Sequence, residues 1–537
     1  MRLYDALLLL ACVQTAIAAT AVEWRDRTIY QVMTDRYGLS NASTTAWCDA
    51  GVGVYCGGTW QGIIHNLDYI QNMGFTAIWI SPITANLPQY TTDLASYHGY
   101  WQQNMYALNS NFGQVADLQA LSKAVHDRGM YLMVDVVVNH FAWAGDPSTV
   151  QYDRLIPFND VSYYHSYCPI TGNASTTACW LGDEVISLPD LRTEDDDVRS
   201  IFNTWISTLV KTYNIDGLRL DSAGNVEKEF FSGFSEAAGV YCIGEIYSGV
   251  PEYACPYQEV LDGVLNYPIY FPLVRAFASP SGTFYDLMDE ISLVKTECKD
   301  SSLLGSFSEN HDQPRFASYT SDISLAKNVL TYTFLSDGIP IVYQGQEQHL
   351  TGAHNPLNRE AIWLSAYNTG APLYNFTTSL NIFRSHVIGT SPNYTNYNSD
   401  VTYNDSSTLA LRKGINGSQV VTVLTNRGEA GQASVLSLSM NATGYDPGMV
   451  VTDVVSCSNA TVDGNGTLSV KIDSGLPTVF YPASLLVDTS ICVHGVTLNP
   501  APVKLNPPPK NGAERILDEV KVSLLLGGLV LLLGNAL

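Results

Sequence analysis

Basic side chains are scarce in this sequence: 27 Lys and Arg stand against 51 Asp and Glu in 537 residues, a formal net charge of −24. Phosphate neutralisation needs basic patches, so the balance speaks against a nucleic-acid partner. A Gly-rich dinucleotide turn is missing, and there is no internal repeat. Of ten cysteines, Cys12 lies in an N-terminal leader-like segment, and the nine that remain are an odd number. What is abundant is apolar and aromatic. The chain is 46% hydrophobic with 32 Tyr and 9 Trp, enough for large cores in two or three domains. Aromatic faces also stack on sugar rings, although most of these residues are expected in the core.

The two ends carry addresses. Arg2, an apolar run at 7–10 and Ala16-Ile17-Ala18 fit a secretory signal over residues 1–18. At the other end, Pro507-Pro508-Pro509 precedes three small residues, Asn511-Gly512-Ala513, a polar spacer and an almost wholly apolar tail from Val522. That order fits a glycosylphosphatidylinositol (GPI) attachment signal with Asn511 as the acceptor and 512–537 removed. The rival, a permanent membrane helix, has only 16 residues and no basic stop. The expected location is therefore the outer face of the plasma membrane, or the cell wall.

Nine N-x-S/T sequons agree with secretion: Asn41, Asn173, Asn375, Asn393, Asn404, Asn416, Asn441, Asn459 and Asn465. Cys48 with Cys56 and Cys168 with Cys179 could close small loops, and Cys255 with Cys298 and Cys457 with Cys492 larger ones. Sequence alone leaves that connectivity open. Cys242, inside an apolar strand, is expected as a buried free thiol; a catalytic cysteine is the alternative.

Apolar runs at 29–33, 77–80, 131–137, 217–220, 241–246, 260–265, 303–307 and 339–343 alternate with amphipathic segments. One such segment has Asp117 as its expected N-cap, with Leu118, Leu121 and Val125 on one face, and stops at Gly129. Eight runs with helices between most of them predict an α/β fold, a (β/α)8 TIM barrel; a doubly wound open sheet is the alternative. More than fifty residues between Val138 and the helix near Asp195 exceed a plausible loop, and predict a small inserted domain after the third strand. After about residue 400, short alternating stretches separated by Asn, Gly, Ser and Asp predict an antiparallel β-sandwich. The expected layout is a barrel over 19–138 and 195–395, an inserted domain over 139–194, a sandwich over 396–495 and a linker over 496–511.

In a barrel, groups at strand ends meet on one face. The third strand delivers Asp135-Val136-Val137-Val138-Asn139-His140, the fourth Arg219 and Asp221, the fifth Gly244-Glu245, and the seventh Glu309-Asn310-His311-Asp312. Arg219 lies two residues from Asp221 and so on the same strand face. Three carboxylates with neutral donors suit glycoside hydrolysis, where one carboxylate attacks and one protonated acid assists the leaving oxygen.

These four segments, in this order, resemble the short motifs of the alpha-amylase family. The likeness is closest to secreted fungal alpha-amylases and runs from about Trp24 to Cys492. It includes Cys56-Gly57-Gly58-Thr59-Trp60-Gln61-Gly62, Tyr97-His98-Gly99-Tyr100-Trp101 and Gly345-Gln346-Glu347-Gln348. The resemblance implies Asp221 as nucleophile, Glu245 as general acid/base, and Asp312 as transition-state stabiliser. It implies Arg219 as orienter of Asp221. His98, Tyr100, Trp101, His140, His311 and Arg359 would be sugar contacts, and Asp135 structural support.

It also implies a structural calcium held by Asn139 and Asp190. A third family ligand, an acid, falls at Thr177. A fourth, a backbone carbonyl from a Lys-His pair, falls at Gly224-Asn225. The same pair contacts leaving-group sugars in the family. Its replacement, with the anchor signal, is similar to an anchored subgroup that includes 4-alpha-glucanotransferases. The expected protein is thus a monomer acting on α-1,4-glucan by hydrolysis, with transfer as the alternative. A non-catalytic wall glucan-binding protein and an α-glucosidase or debranching enzyme are further alternatives.

Overall fold

The computed structural model describes residues 19–492 except 93, 172–174 and 392. The expected signal segment, Asn173 and the anchor signal with Asn511 lie outside the described residues. Eight parallel strands form one sheet: β1 Ile29–Val32, β2 Ala77–Ile80, β3 Tyr131–Val137, β4 Gly217–Asp221, β5 Tyr241–Gly244, β6 Gly263–Val264, β7 Gly305–Ser306 and β8 Ile339–Tyr343. Their order is β6-β5-β4-β3-β2-β1-β8-β7, and a parallel bridge between Leu265 and Gly305 closes the ring. The strands read as continuous apolar runs because both faces are buried, one on a layer of inward side chains (Ile29, Trp79, Met133, Ile243, Ile341) and one on the helices.

Two strands are shorter than their apolar runs. The run at 260–265 yields only β6, because Cys255–Glu259 forms a 3-10 turn just before it; the run at 303–307 yields only β7, after the 3-10 turn Ser301–Leu303. Close approach explains the glycine in each. A Cβ on Gly263 would meet the Leu303 carbonyl oxygen at 2.2 Å, and one on Gly305 would press on Ile341, Ile243 and Leu265 at 2.8–3.0 Å.

The outer helices bury single faces. Helix α1, Val115–His126, buries Leu118, Leu121 and Val125 as its pattern predicts. Its start differs from the sequence expectation: Gln114 is the N-cap, and Asp117 is the third helical residue, reaching back to accept from the Gln114 backbone N–H at 2.7 Å. The acid completes a capping box instead of opening the helix. Helix α2, Asp196–Tyr213, starts on Asp195 and buries Val198, Phe202, Trp205, Ile206, Leu209 and Val210. Each large side chain so buried contributes on the order of 1.5–3 kcal/mol. Asn214, in the left-handed region (φ 50°), ends the helix and turns the chain into β4.

Between β3 and α2 the chain leaves the barrel. A three-stranded sheet (Trp143–Ala144, Ile186–Leu188, Leu181–Gly182) and several 3-10 turns form the insertion, closed by the Cys168–Cys179 disulfide. A bridge between His140 and Asp190 joins its entry to its exit.

The last region contains β9 Asp400–Asn404, β10 Thr408–Lys413, β11 Val420–Thr425, β12 Ser434–Leu438, β13 Val450–Asp453, β14 Ser458–Thr461, β15 Leu468–Ile472 and β16 Thr478–Pro482. A six-stranded antiparallel sheet faces the β12–β15 pair across a core that includes Val421, Val423, Leu438, Leu468, Val470 and Phe480. Strand β14 was not legible beforehand: Ser-Asn-Ala-Thr at a sheet edge carries no apolar alternation.

The four disulfides join the pairs considered from spacing, and Cys242 is a buried free thiol. Of the described sequons, Asn404 is half-buried and Asn41, Asn375, Asn393, Asn416, Asn441, Asn459 and Asn465 are exposed.

Candidate active site

The site is built on one buried cation. Arg219, fully buried in β4, sends Nη1 to Asp221 Oδ1 at 2.8 Å and to Asp135 Oδ1 at 2.9 Å, and Nη2 to Glu245 Oε2 at 2.7 Å. A guanidinium is a rigid fork, so it reaches two carboxylates only when they stand side by side. Asp221 and Glu245 are brought together by that fork from the ends of adjacent strands. A cation without water must be paired, and three carboxylates here share the task.

Ser222 tightens the pair. Its backbone sits in the left-handed region (φ 49°), its N–H donates to Glu245 Oε2 at 3.0 Å, and its hydroxyl donates to Asp221 Oδ2 at 3.0 Å. A non-glycine residue in that conformation costs about 1–3 kcal/mol and persists only where its surroundings impose it.

Asp312 follows β7 on the turn that Asn310 stabilises by accepting from the N–H groups of Asp312 and Gln313, both at 2.9 Å. Arg359 Nη2 donates to Asp312 Oδ1 at 2.9 Å, and His311 Nε2 lies 3.1 Å from Asp312 Oδ2. About a third of the Asp312 side chain (34%) is open to solvent, whereas Asp221 (10%) and Glu245 (12%) are not. Asp312 is therefore the carboxylate at the mouth.

The electrostatics separate the acids. Burial, opposed by Arg219 and reinforced by Asp221 and Asp312, pushes Glu245 up to about 7. Burial likewise raises Asp135 to about 6 against the pull of Arg219. For Asp312, burial acts upwards, but His311 and Arg359 outweigh it and hold the carboxyl below its ordinary value. One acid is thus disposed to hold a proton at neutrality while its neighbour at the mouth stays charged.

The three histidines are held neutral. Burial lowers His98, His140 and His311, the last to about 3, and Arg359 adds to the effect on His98 and His311. The Tyr100 ring stacks between His98 (5.6 Å, 16°) and His311 (5.2 Å, 10°), its hydroxyl 2.8 Å from Asp135 Oδ2. His140 Nε2 lies 3.2 Å from the Tyr100 carbonyl, and half-exposed Trp101 packs edge-on to His98 at 4.7 Å. The structure therefore gathers Asp221, Glu245, Asp312, His98, Tyr100, Trp101, His140, Arg219, His311 and Arg359 on one face.

Sequence reasoning missed four contributors. Trp79 donates Nε1–H to Asp135 Oδ2 at 3.1 Å, and Tyr267 places its hydroxyl 3.5 Å from Glu245 Oε1 while accepting from Asn310 Nδ2 at 3.0 Å. Gln31 contacts His311, and Tyr247, 63% exposed, packs against Tyr267 and Phe271 just beyond Glu245. A polar residue inside a buried strand was the available signal for Gln31.

The family's calcium can be tested on the donor set. Asp190 is buried with Oδ1 unpartnered, which suits a cation, but its Oδ2 pairs with His165 Nδ1 at 2.8 Å. Thr177 adds no charge and sits 3.3 Å from the Ser175 hydroxyl; the Asn225 amide donates to the Thr176 carbonyl at 3.0 Å. Among the described residues no three His, Cys, Asp or Glu side chains are grouped to hold a metal. Asn139 and Asp190 offer one amide and one carboxylate, few of the roughly six to eight oxygens that a tight calcium site gathers from side chains, backbone carbonyls and water.

Two family profiles match the chain, "Alpha amylase, catalytic domain" over residues 31–401 and "Alpha-amylase, domain C" over 401–498. "Alpha-amylase 2" of Schwanniomyces occidentalis is 48% identical over 478 residues, covering 88% of this chain and 94% of its own. A solved alpha-amylase from Malbranchea cinnamomea superimposes with TM-score 0.86 at 49% identity, over 88% of this chain and 100% of that one. The alpha-amylase of Geobacillus thermoleovorans, solved with acarbose, aligns at 26% identity and TM-score 0.73 over 85% and 98%. With both profiles spanning the barrel and the sandwich, and the acids converging where the strands end, the chain belongs to the alpha-amylase family.

Proposed function

We propose that the protein is an endo-acting, retaining glycoside hydrolase that cleaves α-1,4-glucosidic bonds in starch-like glucans and maltooligosaccharides. The observation that carries this reading is the Arg219 fork, which sets Asp221 and Glu245 side by side. Double displacement requires two carboxyl groups about 5–5.5 Å apart. In this reading Asp221 attacks the anomeric carbon while Glu245 gives its proton to the departing glycosidic oxygen. That breaks the sugar–oxygen bond and leaves a β-linked glycosyl ester on Asp221. Glu245, now ionised, takes a proton from the incoming hydroxyl, whose oxygen displaces Asp221 and restores the α configuration. Asp312 and neutral His98, His140 and His311 hold sugar hydroxyls as positive charge grows on the ring, with Tyr100 beneath it. The acarbose complex of the Geobacillus relative supports an oligosaccharide in this cleft.

A second reading, 4-alpha-glucanotransfer, is favoured by one surface feature. Tyr247 stands exposed two residues beyond Glu245, and Gly224-Asn225 stands where the resemblance implies a basic pair that contacts leaving-group sugars. An aromatic face there can hold a sugar acceptor in competition with water. Four disulfides, exposed sequons and the terminal signals support secretion and attachment to the outer face of the membrane by a GPI anchor.

Product analysis with maltoheptaose tests both readings. Shorter α-anomeric products support hydrolysis with retention, and products longer than the substrate support transfer. Initial β-anomers, or an intact substrate, would remove the proposal.

A further inference from the structure

Gln31 is the only polar residue of β1, and it is buried. Strand alternation sends Tyr30 outward to Glu347 and Gln31 into the barrel interior, directly under His311. Gln31 Nε2 lies 2.6 Å from His311 Nδ1. On the other side of the same ring, Nε2 is 2.7 Å from the Tyr100 hydroxyl and 3.1 Å from Asp312 Oδ2.

Proton counting fixes the roles of these atoms. Asp135 accepts from Trp79 Nε1–H, from Arg219 Nη1–H and, at 2.8 Å, from the Tyr100 hydroxyl. Tyr100 has a single hydrogen, spent on Asp135, so its 2.7 Å contact with His311 is closed only by Nε2–H donating to the tyrosine oxygen. Asp312 Oδ2, an acceptor, demands the same proton. The second ring proton is favoured by Asp312 but opposed more strongly by burial, Arg359 and Arg219, leaving Nδ1 a bare acceptor. Only a donor can face it at 2.6 Å. The glutamine therefore presents its amide NH2 to the ring, and its oxygen is left buried without a hydrogen-bond partner. The rest of the ring's surroundings, Trp79 edge-on and Tyr343, are neutral.

We propose that Gln31 is a positioning residue that holds His311 in its neutral Nε2–H tautomer, so that this N–H is aimed at the face shared by Tyr100 and Asp312. The inference rests on the proposed reading that His311 and Asp312 meet the sugar in that place. Gln31 itself touches no substrate and acts through the ring.

Nitrogen-15 NMR of the full-length protein, histidine-labelled, reads the tautomer without any turnover. The His311 signals are assigned by their loss in His311→Asn. The wild-type enzyme should show Nε2 protonated and Nδ1 bare at neutral pH. Gln31→Glu keeps the size of the side chain but offers only acceptors, so Nδ1 should gain a proton. With the fold intact by thermal melting, kcat/KM on maltoheptaose should fall roughly tenfold or more, the loss of one correctly presented hydrogen bond in the transition state. Gln31→Met, with neither donor nor acceptor, should mix the two tautomers and lie between. A wild-type spectrum with Nδ1 protonated overturns the proposal, and so does a tautomer switched in Gln31→Glu with kcat/KM unchanged. A protein that leaves maltoheptaose intact yet shows the expected tautomer would instead refute the reading of function.

Discussion

Replacing Glu245 by Gln tests its proposed role as proton donor together with its burial as an acid, because the amide keeps the shape and loses both the acidic proton and the charge. General acid–base assistance is worth about 10²–10⁴ in rate, and turnover of maltoheptaose should fall by that factor. A substrate whose leaving group needs no proton, such as α-maltosyl fluoride, should lose far less in its first step. The pH dependence carries the same logic. Glu245 is raised from 4.5 to about 7, so the active protonated form is lost as pH rises through about 7, and the alkaline limb of kcat/KM in the wild-type enzyme should fall there.

The stability of the variant should move opposite to its activity. Below pH 4.5 the group is protonated in both folded and unfolded chains and contributes no difference. Between 4.5 and 7 the unfolded chain ionises while the folded one resists, and above 7 the folded state carries the whole penalty, at most about 3 kcal/mol. Glu245→Gln removes that penalty and leaves Arg219 paired with Asp135 and Asp221. Its melting temperature should therefore exceed the wild type's above pH 7 and match it near pH 4. Maltoheptaose turnover within tenfold of wild type, or a melting temperature lowered at alkaline pH, would refute the reasoning.

Three further outcomes follow from other sites. Tyr247→Ala should leave stability within about 0.5 kcal/mol, since the ring is largely exposed, and should lower the ratio of transfer to hydrolysis products by a few-fold; chromatography of maltoheptaose digests measures it. The Cys242 thiol, buried and pushed well above its ordinary value by burial and Asp262, should resist iodoacetamide in the native protein and react fully on unfolding, as mass spectrometry would record. Chelation should shift the melting temperature by no more than about 2 °C, because the described donors supply one carboxylate already paired with His165, whereas a tight ligand at 100 times its Kd stabilises by about 2.7 kcal/mol.

The barrel was legible because strands buried on both faces must be apolar along their whole length, and because a barrel gathers strand ends. The acids at the ends of 135–140, 217–221 and 244–245 therefore mark a site in the sequence itself. Local geometry was less visible. Asp117 read as an N-cap, yet a capping box uses Gln114 as the cap, and nothing in residues 114–117 ranks the two. Strand β14 is polar and marginal, so pairing with β13 creates it. Trp79, Tyr267 and Gln31 were hidden for another reason: each acts on a partner on another strand end, 56, 22 and 280 residues away in sequence, and periodicity carries no information about such contacts. The fork of Arg219 is half legible: its neighbour Asp221 follows from alternation, while its reach to Glu245 depends on the registry of two strands.

The central claim is that Asp221 becomes covalently bonded to the sugar. Incubating Glu245→Gln with α-maltosyl fluoride, quenching in acid and mapping peptides by mass spectrometry tests it directly, since the first step no longer needs the acid and the second lacks its base. A maltosyl group on the peptide that contains Asp221, localised to that side chain, is the predicted result. Label on Glu245→Gln's neighbours other than Asp221, or fluoride released with no labelled peptide at any time point, would contradict it.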